Sequence, residues 1–179
     1  MRKVIVILVS SLILTLFPQK EVRAGGDHVA GLAFSPKEAG ISYGRLGDDY
    51  FNEISISADL SGVLRGWADI PGYKISFSRY LVLFSKDIPS GSEMRLTAGP
   101  GVMAGFLRDN DTKYGSTLAL SANLGLMFLT PRSVIIHLRF STDLGLHHTI
   151  APNGGDVLKP YYTGLIRSYM PELGIFYRF

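Results

Sequence analysis

The chain has no cysteine among its 179 residues. That excludes disulfides, thiol chemistry and a lipid-modified N-terminal cysteine. An excess of charge is missing too, once the N-terminus is set aside. Of 18 basic and 15 acidic residues, four basic (Arg2, Lys3, Lys20, Arg23) and one acidic (Glu21) fall in the first 24, leaving 14 of each beyond. A balanced chain offers no basic patch for nucleic acid. No apolar run is long enough for a spanning helix. The longest, Val4 to Phe17, follows Arg2 and Lys3 and precedes Val22-Arg23-Ala24. Those are the parts of a secretory signal peptide over 1–24, cleaved after Ala24. Helical periodicity is absent as well. All 20 glycines lie beyond residue 24, and with the aromatics they give the turn-rich composition of an all-β domain over 25–179.

Eight extended segments follow, at about 28–35, 39–46, 51–66, 72–85, 92–108, 115–129, 133–147 and 165–179. Successive strand side chains point to opposite faces, so alternation assigns each residue a side. In the third segment Ile54, Ile56, Ala58 and Leu60 oppose Glu53, Ser55, Ser57, Asp59 and Ser61. In the seventh, Val134, Ile136, Leu138, Phe140, Leu144 and Leu146 oppose His137, Arg139, Ser141, Asp143, Gly145 and His147. Two residues break the pattern. Arg79 falls on an apolar face, which implies a bulge near Arg79-Tyr80 or an arginine reaching to a membrane interface. Pro100 sits in mid-strand and reads as a bulge.

Alternation alone fits a soluble sheet as well as a membrane one. Three features favour the membrane. The apolar stripes imply strands of about ten to fifteen residues, against about five or six in globular domains and about nine to eleven for membrane-spanning strands. The polar faces carry charges of both signs among Gly and Ser: Glu53, Asp59, Arg95, Arg139, Asp143, Glu172 and Arg178. Inside a narrow ring these must pair, because a lone buried charge is costly. Aromatics also stand near the stripe ends, at Tyr73, Phe106, Phe128, Tyr177 and Phe179, where membrane barrels carry their girdles.

The last nine residues, Pro171 to Phe179, alternate cleanly and close on Phe179, with Tyr177 and Gly174 before it. This stretch resembles the C-terminal signal by which the assembly machinery recognises Gram-negative outer-membrane β-barrels. The chain beyond residue 24 resembles the small eight-stranded OmpA/OmpX-type barrels in architecture, without any family-specific internal motif. The resemblance implies an eight-stranded antiparallel up-and-down transmembrane β-barrel. It also implies an outer-membrane location, a monomer, and contacts with membrane lipid, lipopolysaccharide and the assembly machinery. Its short turns 47–50, 86–91 and 130–132 would face the periplasm, and 36–38, 66–71, 109–113 and 148–164 would face outward.

Such a barrel has a structural or surface-interaction role as its first expected function. A narrow porin-like channel for small solutes is the alternative. A third reading is an outer-leaflet lipid-modifying enzyme resembling lipid A deacylases, with His147, Thr149 and Asp156 as the only candidate catalytic set. Thr stands where those enzymes carry Ser, and His147 is phased to the interior. Arg139 and Asp143, four apart on one face, read as interior partners rather than catalysts. No His and carboxylate spacing suits a metal, and Gly99-Pro100-Gly101 lacks the lysine and helix of a phosphate loop. No cofactor is implied.

Overall fold

A computed structural model describes residues 27–66, 69–109, 114–150, 154–166 and 168–179. The expected signal segment 1–24 lies outside them. Nine strands form one antiparallel sheet: β1 (His28–Phe34), β2 (Glu38–Leu46), β3 (Tyr50–Asp59), β4 (Gly72–Ile88), β5 (Ser92–Arg108), β6 (Tyr114–Leu129), β7 (Val134–Ile150), β8 (Asp156–Pro160) and β9 (Glu172–Arg178). Each of β1 to β7 pairs with the next, and β9 joins β7 to β1. The hydrogen bonds therefore run in a ring through eight strands. The ring is not regular enough to be called a barrel. Strands β4 to β7 have 16 or 17 residues, whereas β1, β2, β3 and β9 have 7 to 10.

The expected strands are present, with several corrections. The third ends at Asp59, not at 66. Asp59 Oδ1 accepts hydrogen bonds from Ser61 N (2.9 Å) and Ser61 Oγ (2.6 Å), a local alternative to the ladder that turns the chain into helix α1 (Ser61–Leu64). The fourth continues to Ile88. The connection at 148–164 is partly ordered: β7 runs on to Ile150, β8 pairs with it, and a helical turn α2 (Tyr162–Ile166) follows. The last strand begins at Glu172, not at 165.

Neither expected bulge is where alternation put it. Register between β4 and β5 is the same before and after Arg79-Tyr80, and it shifts between Val82 and Phe84. Arg79 stays on the outer face, its guanidinium 5.3 Å from the ring centre of Tyr50. Pro100 pairs in register with Ala122. It lacks an N–H, and the pairs flanking it on the β4 side resume without slippage.

The outside of the ring is apolar and the inside is mixed. Ile54, Ile56, Phe77, Leu120, Leu144 and Leu146 are all exposed on the outer face, with Leu120 at 68%. Inside, the end that carries the short turns is filled by Val29, Leu46, Phe51, Tyr80, Met127, Leu129, Ile135 and Phe176. Phe51 anchors this plug, stacking on Tyr80 at 5.8 Å and meeting Phe176 (5.7 Å) and His137 (5.9 Å) edge-on. Two glycines make the packing possible. A Cβ on Gly125 would collide with the His137 imidazole, and one on Gly174 with the Phe176 ring. Towards the opposite end a smaller cluster of Met103, Leu107, Ala119 and Tyr161 fills the space.

Truncating Phe51 to alanine should leave a cavity in the plug and lower unfolding stability by about 3–5 kcal/mol. Urea unfolding of the refolded variant checks this, and a loss below about 1 kcal/mol would show that the ring stands without the plug.

Candidate functional site: the charged interior

Between the two apolar clusters the interior is polar, because β3, β4, β6 and β7 turn Ser, Asn and charged residues inward at every second position. At its centre the Arg139 guanidinium on β7 holds two carboxylates at once. Nη1 bonds Glu53 on β3 and Nη2 bonds Glu172 on β9. Glu53 and Arg139 are nearly inaccessible to solvent. Nearer the α2 end, Lys74 Nζ donates to both oxygens of Glu38, at 3.0 and 2.7 Å, with Lys37 3.9 Å away.

Hydroxyls fill the remaining space. Ser55 and Ser76 share a 2.7 Å hydrogen bond, and Ser121 donates to Asp143 at 2.6 Å. Asn123 donates to the Gly99 carbonyl (3.2 Å) and accepts from Ser141 (2.8 Å). The hollow bounded by these groups leaves about 30 Å³ for the centres of water molecules, room for two or three of them.

The segment that the sequence suggested as an outer loop folds inward beside this hollow, where Tyr161, Thr163 and Gly164 line a second, smaller space with Lys74 and Asp143. Tyr161 N donates to Gly145 O at 2.9 Å, and the Tyr161 ring stacks on His147 at 6.1 Å. Thr163 donates through both N (2.9 Å) and Oγ1 (2.8 Å) to Asp109 Oδ1. The helical turn occupies a break in the wall. β9 covers β7 only from Val134 to Arg139, and β8 only from Leu146 to Ile150. Positions 140–145 face no strand on that edge, and Gly164 packs there against the Asp143 carbonyl.

The seven charges expected to form one interior network divide into separate groups. Glu53, Arg139 and Glu172 come together. Arg95 lies at the short-turn end, bonded to Glu93 (2.7 and 2.9 Å) and to the Gly47 carbonyl (2.7 Å). Asp59 holds the start of α1. Asp143 takes Ser121 rather than Arg139 as its partner, so that proposed pairing does not form. Arg178 sits at the end of β9, where its N–H donates to the Ser133 carbonyl at 2.7 Å. Spacing does not reveal the Glu38–Lys74 pair: Glu38 lies in the 36–38 connection by sequence, and only the β2–β3 register turns it inside.

His147, Thr149 and Asp156 do not come together as a catalytic set. His147 is fully buried and hydrogen-bonds Thr117 Oγ1 through Nδ1 at 2.8 Å. Thr149 is buried on the same face, two residues on. Asp156 lies on the surface, 3.1 Å from His148 Nε2 on the opposite side of β7. Of the C-terminal residues, Gly174 is buried beneath Phe176, Tyr177 is half-buried, and Phe179 is exposed with its ring 6.4 Å from His28. No group of three His, Cys, Asp or Glu among the described residues could hold a metal ion. No protein-family model matches this chain, and no curated protein matches it.

Replacing Arg139 by methionine would strand two buried carboxylates and should lower stability by about 3–5 kcal/mol. Replacing all three, with Glu53→Leu and Glu172→Leu added, should recover most of that loss, since a buried ion group is often matched by apolar residues of similar volume. A mutant cycle in urea checks both. A triple variant no better than Arg139→Met would mean that the three residues do not act as one unit.

Proposed function

We propose that the chain is a small outer-membrane protein whose ring of strands crosses the bilayer as a closed β-barrel, with a structural or surface-interaction role. The observation that carries this reading is the inversion of the ring, with large apolar side chains outside and ion pairs inside. In water such an outer face would be a large aggregation-prone patch. In lipid it is the expected surface, and pairing that runs round eight strands satisfies most of the backbone groups that hydrocarbon would leave bare, with the α2 segment set against the unpaired stretch 140–145. Strands β4 to β7, of 16 or 17 residues, tilted by about 45° rise roughly 40 Å, more than the roughly 30 Å of hydrocarbon, whereas β1, β2, β3 and β9, of 7 to 10 residues, rise roughly 17–24 Å. The exposed Tyr73 and Phe106 suit the interface at one end, and Arg79 over Tyr50 suits the other. No helix among the described residues is long and apolar enough to cross a membrane, so any crossing falls to the strands.

In this reading the signal segment exports the chain, the C-terminal strand engages the assembly machinery, and the short-turn end faces the periplasm. Lipid and lipopolysaccharide contact the outer face. The segments around α1, β8 and α2 form the surface available to partners. The Phe51 and Phe176 plug at one end and the α2 segment at the other support a closed interior over a conducting one.

Membrane fractions run on gels with and without boiling, in mild detergent, test the reading. A band in the outer-membrane fraction that shifts on heating is expected. A soluble periplasmic protein with no shift would overturn it. In planar bilayers the same protein should give no conductance steps, and steady openings would move the function to the channel alternative.

A further inference from the structure

The turn between β1 and β2 hides its polar groups. Lys37 points inward, its side chain buried and its Nζ 3.9 Å from the Glu38 carboxylate. A lysine in an aqueous loop holds its ammonium out in solvent. Every N–H from Ser35 to Glu38 has an acceptor within the protein. Ser35 N donates to Glu38 O at 2.8 Å, and Ser35 Oγ accepts from Lys37 N (3.2 Å) and Glu38 N (3.1 Å). Pro36 has no N–H to satisfy. The Lys37 carbonyl accepts from Leu60 N at 2.8 Å. The exposed residues of this stretch are Phe34 and Pro36, both apolar.

The stagger of the ring sets this turn low in the wall. From Val29 the pairing passes through Gly44, Glu53, Ser78, Gly101 and Ser121 to Asp143 on β7. In the other direction it passes through Arg178 to Ser133. Asp143 and Ser133 lie ten positions apart, so a row of paired residues climbs towards the α2 end as it runs from β1 to β7. With strands about 4.8 Å apart and tilted by about 40°, each strand crossed adds about 3 Å. One such row runs from Phe34 through Ala39 and Ala58 to Tyr73. Phe34 therefore stands about 9 Å below Tyr73, whose exposed ring suits the membrane interface. Two more residues raise Pro36 by about 5 Å, still short of that level. Strands β1 and β2, of 7 and 9 residues, cannot carry the turn across roughly 30 Å of hydrocarbon.

We propose that residues 35–37 lie beneath the lipid headgroups of the outer leaflet, covered by acyl chains. The partner of this part of the wall is hydrocarbon, not water or another protein. The inward Lys37 and the N–H groups held by Ser35 let the chain reverse there without bare donors in lipid. The aqueous face then consists of α1, β8 and α2 without the β1–β2 connection. This inference rests on the membrane reading above.

The chain has no cysteine, so single cysteines can carry a fluorophore without background. Pro36→Cys reports on the turn, Leu120→Cys on the apolar outer face, and Asp156→Cys on the exposed α2 end. Each is labelled unfolded, refolded into phosphatidylcholine vesicles, and quenched in turn by nitroxide on the acyl chains and by iodide in the water. The labels at Pro36 and Leu120 should lose fluorescence to the nitroxide lipid and resist iodide, and the label at Asp156 should do the reverse. A lipid-quenched Leu120 with an iodide-quenched Pro36 overturns the inference and leaves the membrane reading standing, since the bilayer would then thin to meet the turn. An iodide-quenched Leu120 overturns both. If Pro36→Cys does not refold, amide exchange of the wild type in the same vesicles decides. Lys37 and Glu38 amides as slow as those within β2 support the buried turn, and rapid exchange there overturns it.

Discussion

Arg139 holds Glu53 and Glu172 in a single guanidinium fork, and the remaining architecture depends on that contact. The three residues come from β7, β3 and β9, so the contact crosses the ring and ties its closing strand to the wall opposite. Three ionised groups out of water are tolerable only because they meet at hydrogen-bonding distance. The packing around them keeps them enclosed and paired. The aromatic plug excludes solvent from one end, the Tyr161 to Ile166 segment covers the other, and serines too short to compete line the space between.

The irregularity of the ring has the same origin. Strand β9 is short and pairs with β7 only as far as Arg139, so positions 140–145 have no strand neighbour on that edge. A long, even β9 would have closed the wall and left the interior open at its mouth. Instead the chain spends those residues on β8 and α2, which fill the break and send Tyr161 and Thr163 inward. The helical turn serves two sides at once: Thr163 and Gly164 are buried, while Tyr162, Leu165 and Ile166 continue the apolar outer surface.

Much of this was readable from alternation, because a strand's period of two is insensitive to what lies across the sheet. Spacing alone puts Ile54, Ile56, Leu144 and Leu146 outside, and Glu53, Arg139 and His147 inside. The plug leaves a mark in the same alternation. Phe51, Tyr80, Met127, Ile135 and Phe176 are apolar residues in the polar phase of their strands, and all lie towards the same end of the sheet. The bulges failed for a different reason. Arg79 and Pro100 looked wrong in one strand, yet a bulge is a property of a pair, and the partner strand shows where register is lost.

The sequence by itself determined the fold class, the number of ring strands and the face of nearly every strand residue, since these depend on local periodicity and turn chemistry. It could not determine partners. Arg139 and Asp143 share a strand face, but a strand separates residues four apart by about 13 Å, whereas register and ring closure bring Glu53 and Glu172 to Arg139 from distant parts of the chain. Glu38 became an interior residue, and 161–166 an inward-folded cover rather than a free loop, for the same reason. Those outcomes depend on which strands become neighbours and how far each extends, and only the closed tertiary structure decides that.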